Sequence, residues 1–198
     1  NKKIMDIETA LDQQLSESKN MKIVIVTIPI RPVPTEYPPY GSLSVIQALR
    51  NNGFSNVEFY DIDGLRPTYE EVVDYLVELK PEVLGISAVV STAYGYSKDL
   101  SLDIKRLLPD TTIVLGGNLG ASAEILLRKT GVDFVVNGEG EVTITDFMNQ
   151  LMKSKDKSDF KNVQGLVYLE NNSIINTGYC LKPVPKNEIY EADTNNEI

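Results

Sequence analysis

The chain has 198 residues, 42% hydrophobic and 24% charged, with a formal net charge of −9. That balance fits one α/β domain with a sizeable core plus extra segments, and the acidity argues against nucleic acid as a partner, since phosphate contacts need clustered Lys and Arg. Histidine is absent and Cys180 is the lone cysteine, which removes from this chain Ser-His-Asp and Cys-His catalysis, zinc and iron–sulfur ligation, and any histidine axial ligand to a cofactor metal.

No apolar run approaches the roughly 18 residues of a membrane span. The N-terminus lacks the basic-then-apolar order of a signal peptide. With one cysteine, these features predict a cytoplasmic protein without membrane contact. Asn171-Asn172-Ser173 matches a glycosylation acceptor pattern, which has no use in that compartment.

Residues 1–20 read as an amphipathic helix and linker. Ile4, Ile7, Leu11 and Leu15 recur at helical spacing. The helix either docks on another subunit or lies on its own domain. The first strand, Lys22 to Ile28, is apolar without alternation, as in a parallel sheet covered on both faces. The loop from Pro29 to Gly41 contains five prolines, which forbid regular structure. A helix from Ser42 to Asn51 presents Leu43, Ile46 and Leu49, with Gly53 as its C′ residue. Val57 to Ile62 is the second strand. Asp61 and Asp63 after it either contact a ribose or metal, or cap a turn.

Thr68-Tyr69-Glu70-Glu71 is a capping box, so a helix begins there and runs to Pro81. Val83 to Val90 is the third strand, ending in Ser91 and Thr92, whose hydroxyls either bind a ligand or cap the next helix. That helix spans Ala93 to Leu108. The fourth strand, Thr112 to Leu115, runs into Gly116, Gly117 and Asn118. A helix follows to Thr130, with Gly131 as its C′ residue. The fifth strand, Asp133 to Val136, meets Gly138, Glu139, Gly140 and Glu141, then a helix to Lys153. The two acids suit a helix start, where they complement the dipole. Lys153 to Lys161 is a charged linker. Val163 to Glu170 and Ser173 to Thr177, joined by Asn171-Asn172, read as a β-hairpin. The tail from Tyr179 is irregular.

Strand and helix thus alternate five times. This predicts an α/β fold: a flavodoxin- or Rossmann-like, doubly wound, five-stranded parallel sheet of order 2-1-3-4-5, with an N-terminal helix and a C-terminal hairpin. The division is 1–20, 21–153 and 154–198. The unusual loops all fall at carboxyl strand ends, where open α/β sheets bind ligands. Paired glycines there clear side chains and permit close approach.

Four stretches carry a resemblance: Pro38-Pro39-Tyr40-Gly41, Leu84-Gly85-Ile86-Ser87-Ala88, Val114-Leu115-Gly116-Gly117, and Val135-Val136-Asn137-Gly138-Glu139-Gly140-Glu141. Val163-Gln164-Gly165-Leu166-Val167-Tyr168 and the hairpin extend it. In this order they resemble the N-terminal cobalamin-binding domain of cobalamin-dependent radical S-adenosylmethionine enzymes, over residues 21–178. The resemblance implies a base-off cobalamin with its nucleotide tail beside the fourth-strand glycines. It implies contacts from Tyr40, Ser87, Val89, Ser91, Thr92, Gly116, Gly117, Asn118, Gly138, Glu139 and Gly140. The Asp-x-His-x-x-Gly pattern of older cobalamin carriers is absent, so the binding implied is His-off. Cys-x-x-x-Cys-x-x-Cys is absent too, so the iron–sulfur cluster and S-adenosylmethionine belong to a C-terminal radical module outside this chain, and no catalytic residue is expected within it. The alternatives are a cobalamin-free scaffold of the same architecture and another flavodoxin-like nucleotide binder. A Walker loop, a first-strand Gly-x-Gly-x-x-Gly and a receiver's acidic pair are all missing.

Overall fold

In the computed structural model the described residues are 19–89, 91–117 and 122–182. The helix expected within residues 1–20, Asn118 and the end of the tail lie outside them. The apolar runs become β1 (Ile23–Thr27), β2 (Val57–Tyr60), β3 (Val83–Ser87), β4 (Thr112–Gly116) and β5 (Phe134–Val136). All pair in parallel. The third strand stops at Ser87 rather than Val90, and Ser91–Ala93 forms a 3-10 turn.

The sheet has seven strands, not five, in the order β2-β1-β3-β4-β5-β6-β7. The hairpin strands β6 (Leu166–Glu170) and β7 (Ser173–Asn176) pair antiparallel, β6 directly on β5. The hairpin is therefore a continuation of the sheet, not an appendage. Asn171 and Asn172 have φ values of 48° and 64°, the left-handed pair that a two-residue type I′ turn needs.

Strand alternation divides the core between two faces. Val24, Val26, Leu84, Ile86, Ile113, Leu115 and Val135 face one way. The helices on that side are α3 (Tyr69–Leu79), α4 (Tyr94–Leu107) and α5 (Ala123–Lys129), through Val72, Leu76, Leu100, Ile104 and Leu126. Ile23, Ile25, Val83, Val114, Phe134 and Val136 face the other way. There they meet α1 (Tyr40–Asn51) and α6 (Gly140–Leu151), through Ile46, Leu49, Ile144, Phe147 and Leu151. The charged linker also enters this core. Residues Lys157–Asn162 form a 3-10 helix whose Phe160 is fully buried.

Local chemistry sets several boundaries. Thr68 and Glu71 close the expected capping box: the Glu71 amide donates to Thr68 Oγ1 at 3.3 Å, and the Thr68 amide donates to Glu71 Oε2 at 2.8 Å. Thr68→Ala should cost about 1 kcal/mol in urea unfolding; an unchanged midpoint would show the box to be idle. A short helix, α2 (Ile62–Leu65), follows β2 where only a turn was expected. Asp61 caps it by accepting from the Gly64 amide at 3.1 Å. Gly131 is not the left-handed C′ residue expected, because its φ is not positive. It lacks a side chain because a Cβ would stand 2.2 Å from the Ser101 carbonyl oxygen on α4. Among the described residues no helix is long and apolar enough to cross a membrane.

Candidate functional site

The site begins with side-chain parity. In β3 the residues facing α1 and α6 are Val83, Gly85 and Ser87, and in β4 they are Thr112, Val114 and Gly116. The ladders place Gly85 beside Val114 and Ser87 beside Gly116. Large residues thus fill the lower part of this face and small ones its carboxyl end. α1 and α6 bridge above, so the missing volume remains as a cleft.

The cleft measures about 250 Å³. Ile25, Gly85, Val114, Gly116 and Val136 form its floor. Gly41, Ser42 and Val45 from α1 and Gly138, Glu139, Gly140, Glu141 and Ile144 from the start of α6 form its walls. Ser87, Val89 and Gly117 stand at its mouth. A Cβ on Gly116 would point into this space, 3.9 Å from Val136 Cβ. Gly117 has another reason to be glycine. Its φ is +97°, and a Cβ would stand 2.5 Å from the Ala88 carbonyl oxygen. It lets β3 and β4 close together at their ends, where the Ala88 amide donates to the Gly116 carbonyl at 2.9 Å.

Two features of this apolar cleft call for a polar partner. Ser42 is 4% exposed and its Oγ has no hydrogen-bond partner among the described residues, a costly state unless something in the cleft pairs with it. The N-termini of α1 and α6 border the cleft, and neither has a side-chain cap. Their amides are suited to an anionic or hydrogen-bond-accepting group.

The expected contact residues divide. Ser87, Val89, Gly116, Gly117, Gly138, Glu139 and Gly140 come together here. Tyr40, 60% exposed, lines a neighbouring hollow instead. Ser91 and Thr92 line neither, and Thr92 Oγ1 donates to the Ile30 carbonyl at 3.1 Å, tying down the proline-rich loop. Asn118 is outside the described residues. Sequence reasoning missed Gly41, Ser42, Val45, Gly85 and Ile144. Ser42 left one signal: it occupies the position four before Ile46 on the buried stripe of α1, where an apolar residue would fill the cleft. No cluster of three or more acidic or cysteine side chains able to hold a metal occurs among the described residues.

Five parallel strands in the order 2-1-3-4-5 within a mixed seven-stranded sheet, hollowed at their carboxyl edge beneath two helix N-termini, define a ligand-binding domain of the doubly wound α/β class. The particular family is the B12-binding domain, whose model matches residues 26–148; the chain belongs to it. An uncharacterized methyltransferase of Pyrococcus horikoshii is 28% identical over 167 residues, covering 80% of this chain and 35% of the relative. The anaerobic magnesium-protoporphyrin IX monomethyl ester cyclase of Synechocystis is 30% identical over 145 residues, covering 72% of this chain and 28% of the relative. The chain therefore spans about a third or less of the length of these relatives. Among solved structures the fold is shared with the radical S-adenosylmethionine methyltransferase TsrM from Kitasatospora setae, solved with cobalamin and a 4Fe–4S cluster. The TM-score is 0.67 at 19% identity, over 84% of this chain and 30% of that one. It is shared too with the cobalamin-dependent S-adenosylmethionine radical enzyme OxsB, solved with aqua-cobalamin and S-adenosylmethionine. There the TM-score is 0.69 at 17% identity, over 86% of this chain and 24% of that one. The family drawn from the four sequence motifs is the one these comparisons return.

Proposed function

We propose that this domain holds a base-off cobalamin for a radical S-adenosylmethionine module, with the nucleotide tail in the glycine-floored cleft and no protein histidine on the metal. The observation that carries the reading is the cleft itself. It has a mainly apolar lining, a floor at Gly85 and Gly116 that side chains would fill, and one buried hydroxyl, Ser42 Oγ, without a partner among the described residues. That is the surface a flat aromatic base with a few polar atoms requires.

In this reading Gly85 and Gly116 admit the tail, and Ser42 and Ser87 hydrogen-bond its polar atoms. The first-turn amides of α1 and α6 face its phosphate. Val89, Gly138, Glu139 and Gly140 bound the mouth, and Tyr40 lies at the rim. When bound, cobalamin would supply methyl transfer or rearrangement chemistry. The chain's own residues bind, orient and exclude water, and none acts as acid or base. With no histidine in the sequence, no imidazole of this chain would ligate the cobalamin metal.

The test is direct. The purified chain is mixed with hydroxocobalamin, desalted, and its visible spectrum recorded. The expected result is retained corrin absorbance of the base-off form. No retention at high micromolar protein would remove this reading for the isolated chain and leave the cobalamin-free scaffold.

A further inference from the structure

Past β7 the chain crosses from the sheet edge to α6. Residues 177–182 form a strap beside the wall of the cleft. Its root is fixed. The Thr177 amide donates to the Leu166 carbonyl at 2.9 Å, and Thr177 Oγ1 accepts from the Leu166 amide at 2.9 Å. Its far end is held by an ion pair, Lys182 Nζ to Asp146 Oδ2 on α6, at 2.5 Å. Those side chains are 59% and 35% exposed. Water and salt screen such a pair, so it is a weak latch.

Between root and latch lies a hinge. Gly178 has φ +82°, and a Cβ there would meet nothing within 4 Å. Space does not require the glycine; the left-handed backbone does. The next residue, Tyr179, lies against Gly138, where a Cβ would stand 3.2 Å from the ring. Gly138 lines the cleft and Tyr179 does not. The ring therefore stands just outside the mouth.

Two large side chains of the strap are left in water. Tyr179 is 65% exposed and Leu181 is 84% exposed. Beside them is a cleft whose lining is mainly apolar. Burying a ring and a leucine against an occupant outweighs the loss of one exposed ion pair. An empty cleft offers them less to bury against, and the latch prevails. Occupancy of the cleft thus biases the strap between two positions.

We propose that Tyr179 is a ligand-covering residue: when the cleft is occupied, the strap turns about Gly178, releases Lys182 from Asp146 and lays the Tyr179 ring over the mouth. The proposal rests on the cobalamin reading of the cleft, and adds to it a cover that shields the nucleotide tail on the β5 side. The ring does the covering, since it meets a flat base face to face or edge to face, and the hydroxyl is dispensable.

Cys180, the only cysteine of the chain, lies between Tyr179 and Leu181 and reports the position of the strap. The full chain is treated with iodoacetamide, with and without saturating cyanocobalamin, whose cyanide keeps the cobalt from taking up the thiol. Alkylation of Cys180 is followed by mass spectrometry, and the ratio of the two rates within each variant cancels any change in the thiol itself. Cobalamin release is timed by absorbance after rapid desalting. In the wild type, cobalamin should slow alkylation about tenfold. Tyr179→Ala removes a ring that lies outside the core and should fold normally, as circular dichroism would verify. It should release cobalamin about tenfold faster and lose the protection of Cys180. Tyr179→Phe should keep both properties. Asp146→Asn, which breaks the latch of the open strap, should release cobalamin about threefold more slowly. Release from Tyr179→Ala at the wild-type rate, or equal reactivity of wild-type Cys180 with and without cobalamin, would overturn the cover and leave the cobalamin reading standing. So would Tyr179→Phe behaving as Tyr179→Ala, or faster release from Asp146→Asn. Wild type that takes up no cyanocobalamin would overturn both readings.

Discussion

Gly116→Leu is expected to abolish cobalamin retention through desalting while leaving the folded state nearly unchanged. The leucine would begin 3.9 Å from Val136 Cβ, an ordinary contact, and Gly116 has no positive φ to strain. Its side chain would then occupy the floor of a cleft of only about 250 Å³. Overfilling a closed site typically costs a ligand roughly tenfold to a hundredfold in affinity. The neighbouring glycine is the necessary contrast. Gly117→Ala would force a Cβ to 2.5 Å from the Ala88 carbonyl oxygen at φ +97°, a substitution expected to destabilise the fold by about 1–3 kcal/mol. Loss of binding in that variant would report damage to the β3–β4 ends rather than an occupied cleft. Equilibrium titration with hydroxocobalamin, paired with thermal unfolding, separates the two. Normal cobalamin affinity in Gly116→Leu would place the tail elsewhere.

Phe160→Ala is expected to carry the largest stability cost, about 3–5 kcal/mol in urea unfolding. Phe160 is fully buried, with its ring centroid 4.8 Å from that of Phe134 on β5 and 5.3 Å from that of Phe147 on α6. Phe134 and Phe147 themselves stand 4.9 Å apart, so the three rings form one cluster beneath α6. Truncating Phe160 leaves a cavity that the sheet cannot close, since Phe134 is fixed on β5, paired on both sides. A loss below about 1 kcal/mol, the range of surface positions, would mean that the segment after α6 is only loosely attached. The same cluster supports α6, whose first turn walls the cleft, so Phe160→Ala should also weaken cobalamin binding.

The alternation of apolar runs with helical stripes made the parallel strands readable, because strands covered on both faces need continuous hydrophobicity. The glycine-rich strand ends were readable as a rim because they recur at the carboxyl ends of strands, where open α/β sheets bind ligands; that Gly117 also serves the close approach of Ala88 was not. What was not readable depended on tertiary context. The hairpin was visible from Asn171-Asn172, but its pairing with Phe134–Val136 is a choice among exposed strand edges that no local pattern records. α2 has four residues and contains Gly64, too short to show a period. Gly131 sits where a cap glycine would, and only the approach of Ser101 explains it. Ser42 was missed because a serine in a helix's first turn ordinarily reads as a start signal. Its distinction is to stand on the buried stripe with no hydrogen-bond partner among the described residues. Ser91 and Thr92 were read from hydroxyl chemistry and the resemblance, with helix capping as the alternative, and β3 ends at Ser87, short of delivering them to the cleft.

The antiparallel pair β6 and β7 has a topological consequence. One reversal on a parallel edge would release the chain at the amino ends of the strands, on the side opposite the cleft. Two reversals cancel, and β7 runs in the same direction as β1 to β5. The chain therefore emerges at the carboxyl rim. Tyr179 lies across Gly138, where its ring would stand 3.2 Å from any Cβ, and Lys182 pairs with Asp146 on α6. The parity of a short hairpin thus decides which side of the sheet the following residues occupy, and places their point of departure beside the mouth of the cleft. A single added or deleted strand at this edge would leave the residues of the cleft intact and send the chain away from them.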